Sequence, residues 1–497
     1  MTSLLTDIEP ALLQNVLAFD KANPLLFNTG LFLLLFVVFI GLYKLVERRR
    51  GARMLLVILF SLYFYYKSSA EYCFILLGVC VADFVVGLAL GASRARWLRR
   101  LWVWVNVLLN VGMLVWFKYF NLLYETFANI TSTAFDPLDI VLPAGISFFS
   151  FRSISYIVDI YRGQMQPCRN FLDYTFFLTF FPPLLAGPVV RAKDMLPQIA
   201  GNPVVTRAMT GEGLFLIIMG LVKKVVVADY LSGNFVDRIF DNPALYTGFE
   251  NLMGAYAFTI QLYCDFSGYS DMAIGLALLM GYRFKDNFNA PLKSQSPTEF
   301  WRRWHISLST WLRDYIYIPL GGNRKGTGRA YGNQISTMLI GGLWHGASWM
   351  YLLWGGYHGL LLAAHKHIRS RWHTPSWLIR SRIAPVFNVF LTVNLVVIGF
   401  MFFRARSMEQ LGAMTTQILT NFNPAVIPAF WEGYMGITLL IIGAYIMHFL
   451  PRSLTERAKG GYIALSPLWQ AIILALVLFL VIQTRQADLV PFVYLQY

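Results

Sequence analysis

The sequence predicts an all-α, polytopic membrane protein, and three observations carry that reading. The chain is 57% hydrophobic and only 13% charged, roughly half the charged fraction of an ordinary soluble protein. Apolar runs of about 20 residues, each long enough to cross a bilayer as a helix, recur along its length. The ~10-residue alternating segments that a membrane barrel requires are missing from the pattern.

The net charge of +15 would suggest nucleic acid on a soluble chain. Here the basic residues sit in short clusters between apolar runs. They read as topology determinants and as contacts for anionic membrane lipid, so no nucleic-acid partner is expected. The four cysteines form no CxxC pair, which argues against a disulfide framework and a zinc site.

Taken in order, residues 1–24 form an N-terminal extension expected to be an interfacial helix without a cleavable signal. A first span covers about 25–45 and stops at the basic cluster 47–53. The next lie at about 54–67, 72–91 and 101–120. Positive loops at 46–53 and 92–100 face the cytosol, which places the N-terminus outside. Segment 178–200 carries Pro182, Pro183 and Pro188. Proline breaks the helix ladder, and freed carbonyls are tolerated at membrane depth only when buried in protein or lining a wet cavity. A broken or re-entrant helix is therefore expected there. Further spans at 211–230, 250–264, 268–282, 333–348, 350–366, 385–404, 434–450 and 467–484 bring the total to about eleven to thirteen transmembrane or re-entrant helices.

The stretch 296–329 is too polar to span. Phe300, Trp301, Trp304, Leu308, Trp311, Leu312 and Tyr315 recur at helical spacing, with Arg302, Arg303 and Arg313 largely on other faces. This predicts an amphipathic helix lying in the membrane plane, capped by Ser296 or Thr298 with Pro297 in its first turn.

Of the seven histidines, His365, His367 and His373 are expected to be solvated in a basic loop, and His448 interfacial. His305 lies on the apolar side of the in-plane helix. His345 lies deep in a span, where an ionisable residue is expensive and by default a functional candidate. Glycines flank it in "GGLWHGA", leaving room for a second backbone or for substrate, and Trp344 and Trp349 would wall the site. A buried neutral imidazole can accept a proton near neutral pH and activate a substrate hydroxyl for acyl transfer. The sequence carries no GxSxG elbow, HExxH, Walker A or GxGxxG pattern. The residues alone leave two alternatives open, a non-catalytic transporter and ligation of haem or metal by His345 and His358. Carboxylates at membrane depth, Asp83, Asp159, Asp229, Asp265 and Asp271, are expected to satisfy themselves on Ser, Tyr or the Lys223–Lys224 pair.

"FWRRWHISLSTWLRDYIYIPLGGNRKG" (300–326) followed by "GGLWHGASWMYLLWGGYHG" (341–359) resembles the membrane-bound O-acyltransferase (MBOAT) family, and most of all its bacterial alginate O-acetylation branch. "PAGISFFSFRSISYIVDIYRG" (143–163), "FFPPLLAGPVVR" (180–191), "GLVKKVVVAD" (220–229) and "YCDFSGYSDMAIGLALLMGYRF" (263–284) agree. The resemblance implies a catalytic core over 25–405, a ring of helices around a central tunnel, with further transmembrane helices over 406–497. It implies His345 as the catalytic base and His305 as the second catalytic histidine. Trp304, Trp344, Asn323 and His358 are expected to shape the substrate chamber. Arg302 and Arg303, with Arg324, Lys325 and Arg329, form a cationic face for the donor's phosphates. The implied activity is O-acyl transfer, acetyl first, at the bacterial inner membrane. The donor is a cytosolic thioester, acetyl-CoA or an acyl carrier protein, and no bound cofactor or metal is expected. The acceptor is an exported polysaccharide or a periplasmic acetyltransferase or esterase-like partner. D-alanyl or other acyl transfer to teichoic acid, lipid or peptidoglycan is the alternative.

Overall fold

The computed structural model describes residues 16–20, 24–324, 326–371, 381, 383–484 and 492. Most of the expected interfacial helix at 1–24, together with Lys325 and His373, lies outside these residues. Regular structure among the described residues is helical throughout, with no strand. The chain divides into two compact units, one of residues 1–214 with 272–284 and one of residues 215–271 with 285–497.

The first unit opens with Gly30–Val46, whose N-terminus is capped by the Thr29 hydroxyl accepting from the Phe32 amide. Arg50–Ser69 and Cys73–Ala92 follow, joined through the tight turn Ala70–Tyr72. Apolar packing alone does not hold these helices in register. Asn106 Nδ2, Ser153 Oγ and Tyr174 OH all donate to the Asp83 carboxylate, at 2.6, 2.7 and 2.6 Å. That single buried carboxylate ties four helices, as expected for a polar group that must be satisfied where water is excluded. Asp159 likewise pairs with Lys193 at 3.4 Å. The proline-rich segment behaves as predicted. Helices Phe171–Thr179 and Ala192–Ala200 are separated by non-helical residues 180–190, which are buried throughout.

By length and composition, four helices among the described residues could cross a membrane: Arg50–Ala92, Arg96–Thr131, Ile383–Arg404 and Pro467–Thr484. A fifth is added if Pro424–Gly433 and Met435–Phe449, bent by 97°, count as one span. Gly30–Val46 is a shorter apolar helix. Fewer helices qualify than hydropathy suggested, because several apolar segments contain charged residues or π turns. One is Val222–Asp229, with Lys223, Lys224 and Asp229 inside it. Another is Gly248–Leu279, a single 32-residue helix where two spans, 250–264 and 268–282, were expected.

In the second unit those charges pair internally. Lys224 Nζ, fully buried, meets Asp265 at 2.6 Å and Asp229 at 2.8 Å, and Lys223 meets Asp271 at 2.7 Å. The core of this unit is aromatic and aliphatic, built from Phe235, Phe258, Phe300, Trp301, Trp304, Trp354 and Phe400 among others. His448, expected at the interface, packs inside the protein. It is buried, and its Nε2 accepts from the Leu292 amide at 3.0 Å. His365 and His367 extend the helix Trp349–Arg371 rather than lying in a loop, and His365 bonds the Thr298 hydroxyl at 2.9 Å.

Candidate active site

The predicted in-plane helix is broken at its centre. Ser296 caps Pro297–Arg303 by accepting from the Glu299 amide, as expected, but that helix ends at Trp304. A second short helix, Ile306–Leu312, begins after His305, whose backbone sits in the left-handed region at φ 41°. A non-glycine residue there is strained and is held by its surroundings. The holder is Asn287. Its Oδ1 accepts from Ser307 Oγ at 2.8 Å and lies 3.1 Å from His305 Nδ1, while its carbonyl accepts from the Ile306 amide at 2.9 Å. Asn287 Nδ2 is anchored on Ser270 Oγ at 3.0 Å. Because the Asn287 oxygen can only accept, His305 Nδ1 carries the proton and Nε2 keeps the lone pair. The ring is fully buried, edge-on to Phe266 and stacked near Phe288. Burial pushes its imidazole down to about 3, so it is neutral at physiological pH. Helical periodicity could not reveal the break, since one residue's turn leaves the apolar spacing on either side intact.

His345 is the last residue of the helix Thr327–His345 and is 4% exposed. That helix packs against Trp349–Arg371 at backbone-to-backbone distance. A Cβ on Gly342 would lie 2.2 Å from the Tyr351 carbonyl, and one on Gly355 would lie 2.4 Å from that of Met338. The glycines around His345 therefore admit the second helix of its own hairpin. Three aromatic rings meet the imidazole edge-on: Trp344 at 5.0 Å, Trp354 at 4.9 Å and Phe403 at 5.3 Å between centroids. Trp344 also lies 5.9 Å from the His305 ring, so one indole touches both histidines. Trp349, expected to wall the site, points outward and is 56% exposed.

The other predicted residues divide. Trp304 is buried against Phe288, Phe300 and Phe400, in the wall behind His305. His358 is also buried, but it serves the packing: Trp301 Nε1 donates to its Nδ1 at 3.4 Å. His345 and His358 both meet Trp354 rather than each other, at 4.9 and 5.1 Å, an arrangement that does not converge on a shared metal or haem. Asn323 is exposed on the turn after the π segment, where it accepts from Tyr317 OH at 2.7 Å and from Lys366. It is thus brought to the surface and not to the histidines. Arg302 is exposed, and Arg303 is half-buried in an ion pair with Glu299 at 2.7 Å.

Immediately beyond His345 lies a cavity of about 650 Å³. Gly346, Ala347 and Ser348 form one edge, and Tyr351 and Phe403 stand between it and the imidazole. Its remaining lining includes Gln261, Asp229, Asp237, Asp241, Asp265, Arg404 and Arg406. Sequence reasoning raised Asp229 and Asp265 only as polar groups needing partners. It gave no sign of Gln261, Asp237, Asp241, Arg404 or Arg406, which lie far apart along the chain and carry no motif.

Residues 164–404 match the MBOAT, membrane-bound O-acyltransferase, family. The chain is 41% identical over 437 residues to the "probable alginate O-acetylase AlgI" of Pseudomonas aeruginosa, covering 85% of this chain and 81% of the relative. It is 35% identical over 436 residues to the peptidoglycan O-acetyltransferase of Helicobacter pylori, covering 80% of each. A teichoic acid D-alanyltransferase of Bacillus subtilis is 26% identical over 284 residues, covering 54% of this chain and 70% of the relative. With its apolar helices, its buried histidine hairpin and relatives aligned over four-fifths of its length, this multi-pass membrane protein belongs to the membrane-bound O-acyltransferase family and is an O-acyltransferase.

Proposed function

We propose that the protein takes an acetyl group from a thioester on the cytosolic side of the bacterial inner membrane and delivers it to a hydroxyl of an exported polysaccharide. The donor is acetyl-CoA or an acetylated carrier protein. The hydroxyl belongs to the glycan itself or to a periplasmic acetyltransferase that completes the transfer. The observation that carries this reading is the placement of His345, buried beneath three aromatic rings with a polar cavity opening at the next residue.

In the proposed step the hydroxyl oxygen attacks the thioester carbonyl while the His345 imidazole takes the hydroxyl proton. The C–S bond breaks, and the departing thiolate recovers that proton from the imidazolium. Water exclusion by Trp344, Trp354 and Phe403 suppresses hydrolysis of the thioester. His305 supports the reaction through its Nε2 lone pair, held in place by Asn287. Trp304 backs the same wall, and Arg302 and Arg303, with Arg324 and Arg329, supply positive charge for a phosphate-bearing donor.

The relatives favour a second acceptor reading. The similarity to a peptidoglycan O-acetyltransferase is nearly as extensive as that to the alginate enzymes, so peptidoglycan is the alternative acceptor, and teichoic acid D-alanylation the more distant one. The decisive experiment incubates the purified protein with radiolabelled acetyl-CoA and compares surface glycans of wild-type and deletion strains by mass spectrometry. Loss of O-acetyl groups from one glycan, restored by wild type but not by His345→Gln, establishes both acceptor and base. Unchanged acetylation with His345→Ala would leave a transporter as the better account.

A further inference from the structure

The segment that holds His305 is itself held from near the far end of the chain. Two non-glycine residues here sit in the left-handed region, Ala290 at φ 43° and His305 at φ 41°. Such a backbone persists where its surroundings over-determine it. Residues 287–294 lie between the two strained positions and are gripped on both sides. On one side the Asn287 carbonyl accepts from the Ile306 amide at 2.9 Å, and its Oδ1 accepts from the Ser307 hydroxyl at 2.8 Å. The Asn289 amide donates to the Arg303 carbonyl at 2.9 Å. On the other side the segment closes as the turn Pro291–Lys293, which meets the end of helix Met435–Phe449. His448 Nε2 accepts from the Leu292 amide at 3.0 Å, and Lys293 Nζ donates to the Leu450 carbonyl. A row of rings runs alongside. His448 is edge-on to Tyr263 at 4.5 Å, Tyr263 is edge-on to Phe288 at 5.9 Å, and Phe288 is stacked near His305 at 6.4 Å.

Histidine is a costly way to pack that helix end. The residue is 7% exposed, and a backbone N–H can only donate, so Nε2 holds the lone pair and Nδ1 the proton. Nδ1 has no hydrogen-bond partner among the described residues. A leucine or phenylalanine would fill the space without stranding a donor. What an apolar side chain lacks is the acceptor for Leu292, which is 1% exposed. The turn keeps its shape through its own bonds, from the Lys293 amide to the Ala290 carbonyl and from the Ser294 amide to that of Pro291. His448 adds something different: it fixes where the turn stands relative to the core. Residue 448 lies beyond 404, where the family match ends.

We infer that His448 is a positioning residue for His305: it sets the place of residues 287–294 and, through Asn287, the orientation of the His305 ring, without touching the reacting atoms. Its effect on rate rests on the proposed part of His305 in acyl transfer. Its effect on the backbone at 306 and 307 does not, and can be measured without catalysis.

The full-length protein in lipid nanodiscs is followed by amide hydrogen exchange over residues 303–308 and by steady-state acyl transfer across donor concentrations. His448→Leu removes the acceptor and keeps an apolar volume. It should speed exchange of the Ile306 and Ser307 amides, both bonded to Asn287, about tenfold, the value of one good hydrogen bond. It should also lower kcat about 10–100-fold, the scale of loss when a catalytic group stands roughly 1 Å out of place, with KM for the donor unchanged. His448→Gln, whose Oε1 can accept from the Leu292 amide, should restore most of both. Ile441→Ala, buried two turns away on the same helix, should lower the melting temperature yet leave both readings at wild-type values. Added to His305→Gln, His448→Leu should cost no further activity, because residues acting through one group are not additive. Lys293→Met removes the second tether and should move both readings the same way, which covers the case of a misfolded His448→Leu. Wild-type exchange at 306 and 307 in folded His448→Leu and Lys293→Met proteins overturns the assignment. So does a His448→Gln protein that behaves as His448→Leu, or an Ile441→Ala protein that exchanges as fast. Faster exchange at unchanged kcat would bear out the tether and count against His305 in the reaction.

Discussion

Trp301 donates its indole N–H to Nδ1 of His358 at 3.4 Å, in a pocket where both side chains are buried. An indole nitrogen can only donate, so His358 is the Nε2–H tautomer. That nitrogen faces the helix carrying Gly399, where an added Cβ would lie 2.6 Å away. His358 thus packs between the helices Pro297–Arg303, Trp349–Arg371 and Ile383–Arg404, hydrogen-bonded through Nδ1, while its Nε2 has no hydrogen-bond partner among the described residues. His358→Phe leaves the Trp301 N–H buried without an acceptor, a loss of roughly 1–3 kcal/mol. The expected outcome is a lower melting temperature in detergent with KM for the acyl donor unchanged. A donor KM raised several-fold at unaltered stability would return His358 to the substrate chamber.

His345→Gln tests the base directly. Glutamine keeps a polar side chain of similar reach but cannot take up a proton at neutral pH. Transfer should fall by on the order of 10²–10⁴-fold, the usual contribution of a general base, at wild-type expression. Single-turnover acetyl transfer with purified protein measures it, and retention of more than about a tenth of the rate would argue against proton abstraction by this residue.

His305 predicts a dependence of stability on pH. It lies outside every helix long and apolar enough to span, and burial holds its imidazole at about 3 against an ordinary value near 6.5. Between those values the unfolded chain binds a proton that the folded chain does not, so stability rises with pH across this window. The contribution is fully present above about 6.5 and is lost as pH falls toward about 3. Thermal melting followed from pH 7 downward should therefore decline less steeply in His305→Gln than in wild type. Parallel curves would mean that His305 is accessible to protons in the folded protein.

Lys224 is fully buried between Asp229 and Asp265. Lys224→Met strands two carboxylates beside the cavity and should destabilise by about 3–5 kcal/mol. Lys224→Met with Asp265→Asn removes one of the stranded charges and should recover part of that loss. Expression and melting temperature of the single and double variants read the effect. Equal destabilisation in both would show that the pair is not coupled as its geometry implies.

Gly342 allows the closest approach in the histidine hairpin, with the Tyr351 carbonyl 2.2 Å from where a Cβ would stand. A backbone atom cannot swing aside as a side chain can, so Gly342→Ala must separate the helices. Overpacking of this kind costs roughly 1–3 kcal/mol. Because His345 ends the same helix, acyl transfer per folded molecule should fall together with melting temperature. A stable, fully active Gly342→Ala protein would show that the hairpin tolerates a wider spacing.

Much of this protein is legible along the chain. Hydropathy determined the helical membrane class, because an apolar run of sufficient length in lipid has no other way to satisfy its backbone. The prolines at 182, 183 and 188 announced the buried break in the first unit, since the obstruction they cause is local. The pairing of Lys223 and Lys224 with aspartates was foreseeable for the same kind of reason: a charge at membrane depth must be answered. His345 and His305 stood out as polar residues in apolar surroundings. Only the tertiary structure decided what lay around them. The turn that strains His305 depends on Asn287, 18 residues earlier in the chain, and the glycines beside His345 were spent on its own helical partner. The cavity gathers Gln261, Asp237 and Arg404 from three helices. Spacing along a chain encodes which residues share a face. It does not encode which faces meet, and a hydrogen-bonding lining exists only once they have.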